Sequence, residues 1–197
     1  MKRTNLTLLA FALVPTIAAW TAAQYIATLQ PASRLWVTGT STVRDFSCQA
    51  KIVDASAQTT SAETAKEIMA GQKAVLTLDV KIRPENLDCA NNTMNEHMRK
   101  ALKADKNPSI EFKLASYEMF AAGDKVTGKL NGTLKLGGVE KAITLDAVGN
   151  ATPEGALHVT GAYPLLMTDY GLKAPSLMMG AMKVNPKVKV NFDLLLK

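Results

Sequence analysis

The chain has 197 residues, 47% hydrophobic and 20% charged, with a formal net charge of +6. That length suits one domain, and the sequence carries no long repeat, coiled coil or second long apolar run after its N-terminal segment. The basic excess is mild and is not clustered with aromatics: Lys125, Lys129 and Lys135 are spread along one strand face, so nucleic acid is not expected as a partner.

Residues 1–23 read as a secretory signal peptide. Lys2 and Arg3 form a basic start, Leu6 to Ala19 an uncharged apolar stretch broken by Pro15, and Thr21-Ala22-Ala23 offers small residues for cleavage. Without them the chain keeps 21 basic against 17 acidic residues, a net charge of +4. Residues 24–32 are expected to be an N-terminal linker and residues 33–197 the folded domain.

Arg34 to Val43 is rich in Thr, Val and Trp and reads as a first strand. Phe46 to Asp54 reads as a second, with Phe46, Cys48, Ala50 and Ile52 on one face. The Ser-, Thr- and Ala-rich stretch from Ala55 to Gln72 predicts a loop or a short helix near Ala62 to Met69. Strand three alternates cleanly, with Ala74, Leu76, Leu78, Val80 and Ile82 dry, Thr77, Asp79, Lys81 and Arg83 wet, and Pro84 as its stop. The period then changes. Met94, His97, Met98, Ala101 and Leu102 form one helical stripe, preceded by Thr93 and Glu96 at capping-box spacing and ending before Asn107-Pro108. The breakers on either side, Asn91-Asn92 and Asn107-Pro108, suggest a lid free to swing at its far end.

Ser109 to Tyr117 restores the period of two. From Val126 to Leu136 every even position is apolar or Gly and every odd one polar, and alternation resumes after Gly137-Gly138 with Ile143, Leu145 and Ala147: a β-hairpin. Gly155 to Tyr163 and Lys187 to Leu196 complete a count of eight strands. The expected fold is all-β and antiparallel, an eight-stranded up-and-down barrel with one amphipathic helix over a mouth. Eight strands enclose an interior just wide enough for one small ligand. The dry faces would place Leu78, Val80, Phe112, Leu114, Leu130, Leu134, Leu145 and Phe192 on the cavity wall. The helix would add Met94, His97, Met98 and Leu102.

Cys48 and Cys89 are an even pair in a chain with an export signal, which favours a disulfide tying the helix to the barrel, with reduced or metal-bound thiols as the alternative. His97 and His158 lie on different elements with no ligand spacing between them. Met178, Met179 and Met182, with Met94 and Met98, could offer thioethers to Cu(I), but methionine is also the usual flexible lining of an apolar surface. There is no nucleophile elbow and no phosphate-binding glycine loop before a helix, so neither an enzyme nor a cofactor is expected.

Gly128 to Val139, followed by Lys141 and Ile143-Thr144-Leu145, resembles the signature of the YceI-like family. Glu96-His97-Met98, the run Asn107 to Phe112, Gly39 and Asp169-Tyr170-Gly171 are similar to further motifs of that family, and the likeness spans roughly residues 33–196. Asn107, Met98 and Glu96 depart from its usual Tyr, Leu and Asp. The resemblance implies a lipocalin-like barrel exported to the periplasm that holds a long isoprenoid or other fatty amphiphile. It would act as a monomer or homodimer with transient membrane contact. The alternative functions are an envelope interaction or stress protein without a stable small-molecule ligand, and periplasmic metal handling.

Overall fold

The structure, a computed structural model, describes residues 25–177, 179 and 181–197; the segment expected as a signal peptide and Met178 lie outside the described residues. Among these, twelve strands and two helices follow in chain order: β1 (Tyr25–Thr28), β2 (Arg34–Ser41), β3 (Asp45–Ala50), β4 (Asp54–Thr59), α1 (Thr64–Met69), β5 (Val75–Ile82), β6 (Leu87–Asp88), α2 (Asn92–Ala101), β7 (Ile110–Ala122), β8 (Lys125–Leu136), β9 (Val139–Ala151), β10 (Leu157–Leu166), β11 (Ser176–Leu177) and β12 (Met182–Leu196). All described pairings are antiparallel. One curled path runs β1-β4-β5-β7-β8-β9-β10-β12-β2-β3-β6, with β11 paired to β12.

This overturns the count of eight. Eleven strands lie on the path, because β1, β4 and β6 join the strands expected from the sequence. The segment expected as a linker carries β1, which pairs with β4 over Tyr25–Thr28 and then touches the end of β12 at Leu29 and Leu196. Thr28 and Lys197 exchange backbone hydrogen bonds of 2.8 and 3.0 Å there. The path therefore does not follow a simple meander: β12 lies between β10 and β2, and β2, β3 and β6 extend the sheet beyond it. β4 escaped notice because its inward residues, Ala55, Ala57 and Thr59, are small and give no apolar signal, although Ala57 and Thr59 are fully buried.

The strongest sequence feature is reproduced. β8 and β9 pair from Leu136↔Val139 outward, and Gly137 and Gly138 at φ 58 and 86° form the two-residue turn that a right-handed hairpin twist requires. Where alternation slips, a bulge explains it. Pairing passes from Gln58↔Thr77 to Thr59↔Val75, so Leu76 is skipped and turned out, 49% exposed, while Val75 faces inward. In β7 the register passes over Ala115, after which Tyr117 and Met119 take the inward positions.

The two helices sit at opposite ends of the curl. α1 buries Ala65 and Ile68 against Ala74, Tyr117, Val126 and Leu157. Tyr117 Oη accepts the Val75 N–H at 3.0 Å, and burial pushes the phenol up. α2 packs Met98 and Leu102 on a cluster of Leu35, Ile82, Leu87 and Phe192. Its cap is Asn91, whose Oδ1 accepts the Met94 N–H at 2.9 Å, rather than the Thr93–Glu96 box the spacing suggested. A third cluster of Leu136, Leu165, Met167, Tyr170 and Leu172 lies beside the far end of α2, against Ala101 and Leu102.

Candidate functional site: an apolar cavity with one polar mouth

The curl encloses a cavity of about 690 Å³. Its walls are the inward faces of the long strands: Leu78 and Val80 from β5, Phe112 and Leu114 from β7, Leu130 and Leu134 from β8, Leu145 from β9, Val159 and Tyr163 from β10, and Val190 and Phe192 from β12. Three glycines make room for rings, Gly39 among them against its cross-strand partner Phe46. A Cβ at Gly132 would strike the Phe112 ring, and one at Gly161 the ring of Phe192, its direct cross-strand partner.

All twelve residues expected at the cavity reach it. Leu78, Val80, Phe112, Leu114, Leu130, Leu134, Leu145 and Phe192 line it from the sheet, and Met94, His97, Met98 and Leu102 from α2. Among the described residues Arg44 is the one Lys, Arg, Asp or Glu on the wall. The sequence reading missed Arg44 and Tyr163, as well as Val75, Tyr117 and Met119. Tyr163 sits at the right parity in a recognised strand and could have been found; Val75 and Tyr117 were hidden by the bulges, and Arg44 lies in a turn where alternation says nothing.

Apart from Tyr117, under α1, and Tyr163, the polar side chains of the wall come from two segments. Ser41 and Arg44 belong to the β2–β3 turn, and Asn91, Thr93 and His97 to the start of α2, which the Cys48–Cys89 bond ties to β3. This edge of α2 is firmly held. Cys48 and Cys89 form a disulfide with Cα atoms 3.9 Å apart, fastening the residues before the helix to β3. Buried Asn95 accepts the Cys89 N–H at 2.7 Å and donates to Asp88 Oδ1 at 3.0 Å. The Asn95 amide, then the Ala90 N–H, hold the Asp88 carboxyl below its ordinary range. The far end of α2 is also packed: Leu102 touches two clusters, Ala104 is buried, and Lys103 Nζ donates to the Gly171 carbonyl at 3.1 Å. The expected swing of that end meets a packed and hydrogen-bonded segment.

The motif Asp169-Tyr170-Gly171 closes a 3-10 turn, with Gly171 in the left-handed region at φ 61°. Tyr170 is 2% exposed and its hydroxyl has no partner among the described residues; burial pushes this phenol up to about 12. Its ring anchors the third cluster beneath Lys141, 6.0 Å away.

His158 is on the outer face, 2.8 Å from Asp193 Oδ1, while Arg34 reaches Oδ2 at 3.0 Å. His158 and then Arg34 hold the Asp193 carboxyl low. The histidines are therefore separated, His97 at the mouth and His158 outside. Met94, Met98 and Met182 line the cavity, whereas Met179 is fully exposed. No group of three His, Cys, Asp or Glu able to hold a metal occurs among the described residues.

A curled antiparallel sheet wrapped around an apolar cavity, with a helix stapled beside one mouth, defines the class of protein. The YceI-like domain matches residues 26–196, and the chain belongs to that family. No curated protein matches the chain. Among solved structures it is similar to BcnA of Burkholderia cenocepacia, with a TM-score of 0.63 at 14% identity over 83% of this chain and 95% of that one. It is also similar to a polyisoprenoid binding domain from Saccharophagus degradans, with a TM-score of 0.60 at 16% identity over 87% and 97% of the two chains. The YCEI protein of Campylobacter jejuni matches with a TM-score of 0.55 at 18% identity, covering 99% of this chain and 97% of that one. At these identities the likeness concerns the fold.

Proposed function

We propose that this protein holds a long-chain isoprenoid or other amphiphilic lipid in its cavity, acting by binding rather than by catalysis. The observation that carries the reading is the cavity itself: about 690 Å³, within the range of small-molecule sites, with aliphatic and aromatic walls and few polar groups, of which Arg44 is the one Lys, Arg, Asp or Glu among the described residues. Burying an apolar chain there gains roughly 25 cal/mol per Å² removed from water, enough to supply most of an affinity. Met94 and Met98 give the wall beside the mouth side chains able to repack against tails of different shape. The family and the polyisoprenoid binding domain among its structural relatives point the same way.

The leader-like residues 1–23 and the Cys48–Cys89 bond support a periplasmic setting, where disulfides persist. Solvent extraction of protein purified in its folded state, followed by mass spectrometry, is the test. A stoichiometric lipid is expected; protein that comes empty and takes up no isoprenoid or fatty amphiphile when offered it overturns the reading.

A further inference from the structure

We infer that the mouth selects an amphiphile with an anionic head group, carboxylate or phosphate, and that Arg44 is the residue that reads the charge. The inference rests on the lipid-binding reading above and narrows the ligand class for that same cavity.

The argument begins from the distribution of charge. The wall residues are overwhelmingly apolar, and among the described residues no Asp or Glu lines the cavity. Arg44 stands at the end where apolar wall gives way to solvent, so a tail drawn into the cavity leaves its head beside this guanidinium. The backbone of Arg44 is fixed by the turn: Ser41 Oγ accepts the Arg44 N–H at 3.1 Å and donates to its carbonyl at 2.8 Å. Its side chain has no ion pair or hydrogen bond among the described residues, although Asp45 is its neighbour in the chain. The protein thus holds the stem in place and leaves the five N–H donors of the fork unused.

The other polar groups at this end complete the chemistry. The Asn91 carboxamide oxygen is occupied by the Met94 N–H. Thr93 and His97 side chains line the same end and have no protein hydrogen-bond partner among the described residues. A hydroxyl and an imidazole can serve a neutral alcohol head as well as an anion, so they do not discriminate. A planar guanidinium at the edge of a low-dielectric space does, because its charge-assisted, bidentate hydrogen bonds fit carboxylate and phosphate and are about twice as strong as neutral ones.

Three ligands with one tail and different heads test this: stearate, stearyl phosphate and stearyl alcohol, titrated into lipid-free protein and into Arg44→Gln, with inorganic phosphate as a head without a tail. Wild type should bind both anions at least about tenfold more tightly than the alcohol, as a charged hydrogen bond predicts. Arg44→Gln should bring all three to within about twofold while leaving the alcohol unchanged, and inorganic phosphate should not bind measurably. Because the Arg44 side chain is exposed and unpaired, the variant should keep the wild-type melting temperature, so altered binding reads the head-group contact. Equal binding of the three by wild type, or a preference that survives in Arg44→Gln, overturns the inference and leaves the cavity reading standing. Binding of inorganic phosphate as tight as that of stearyl phosphate also overturns it, since the anion would then be recognised apart from the cavity. Failure of every tailed ligand to bind either protein defeats the cavity reading itself.

Discussion

The two helices close the two ends of the curl by different means. α1 is short, and its buried residues, Ala65 and Ile68, press directly on Ala74, Tyr117, Val126 and Leu157, with the one polar atom in that contact, Tyr117 Oη, satisfied by a backbone N–H. That end is a plug made by packing. α2 is longer, buries only Asn95 completely, and turns Met94, His97, Met98 and Leu102 toward the cavity. Its position is fixed by a disulfide and a carboxamide clamp at one edge as well as by the packing of Met98 and Leu102, so it depends less than α1 on a filled apolar face. The contrast teaches that an end helped by cross-links can leave more of its apolar face to the cavity than an end held by packing alone.

Both ends depend on the wall between them, which gives the largest expected effect. Leu130 packs against the cluster under α2 and against the one under α1. Leu130→Asp should lower stability by at least about 4 kcal/mol or prevent folding, since a carboxylate there has no partner. Urea unfolding reads this, and a variant as stable as wild type with unchanged lipid content would place Leu130 outside the shared wall.

Replacing Cys48 and Cys89 together by Ala should cost about 2–4 kcal/mol through the unfolded chain, given the 41-residue separation. Amide exchange in the double variant should rise in α2 and leave α1 protected. Equal loss at both ends would show that the disulfide stabilises the fold as a whole and not the mouth in particular.

A pair of truncations sharpens the same contrast. Ile68→Ala, at a site only 4% exposed, should cost about 2–4 kcal/mol, while Met94→Ala, half-buried at the open end, should cost less than about 1 kcal/mol and change lipid affinity instead. Equal costs in chemical denaturation would erase the distinction between plug and mouth.

The smallest effect is a pH dependence. The Asp88 carboxyl is held below its ordinary range in the folded protein by Asn95 and the Ala90 N–H. Its contribution is therefore complete above the unfolded carboxyl value of about 3.9 and is lost as pH falls through the lower folded value. Exchange in the first turns of α2 should accelerate below about pH 4 in wild type, and Asn95→Ala should weaken that dependence. A helix whose protection is flat from neutral pH into this acid range would show that Asp88 does not hold it.

Much of this was legible in the residues. Strict alternation in β8, resumed after Gly137-Gly138 by Ile143, Leu145 and Ala147 of β9, sets both strand pairing and which side faces the cavity, so Leu130, Leu134 and Leu145 could be assigned from parity alone. Parity fails where a bulge inserts a residue, and this is why Leu76 is turned out and Val75 in. It is silent where inward residues are small, as in β4, or where the site lies in a turn, as with Arg44. The stripe of α2 identified its buried face but not its cap. Asn91 read as a breaker proved to be the residue that starts the helix.

The position of β2 between β3 and β12 bears on how the chain reaches this structure. β3 follows β2 at once, but the other edge of β2 pairs with Val184–Asp193, and the Ser33–Leu195 hydrogen bonds close a separation of 162 residues. Such long-range pairing must wait for loop closure, which makes folding slow for the size of the chain. Until β12 arrives, the N–H and C=O groups along that edge of β2 are open to any passing strand, and the inward side chains Leu35 and Val37 are uncovered. The kinetic hazard of this protein is therefore concentrated at one early-made strand whose partner comes last.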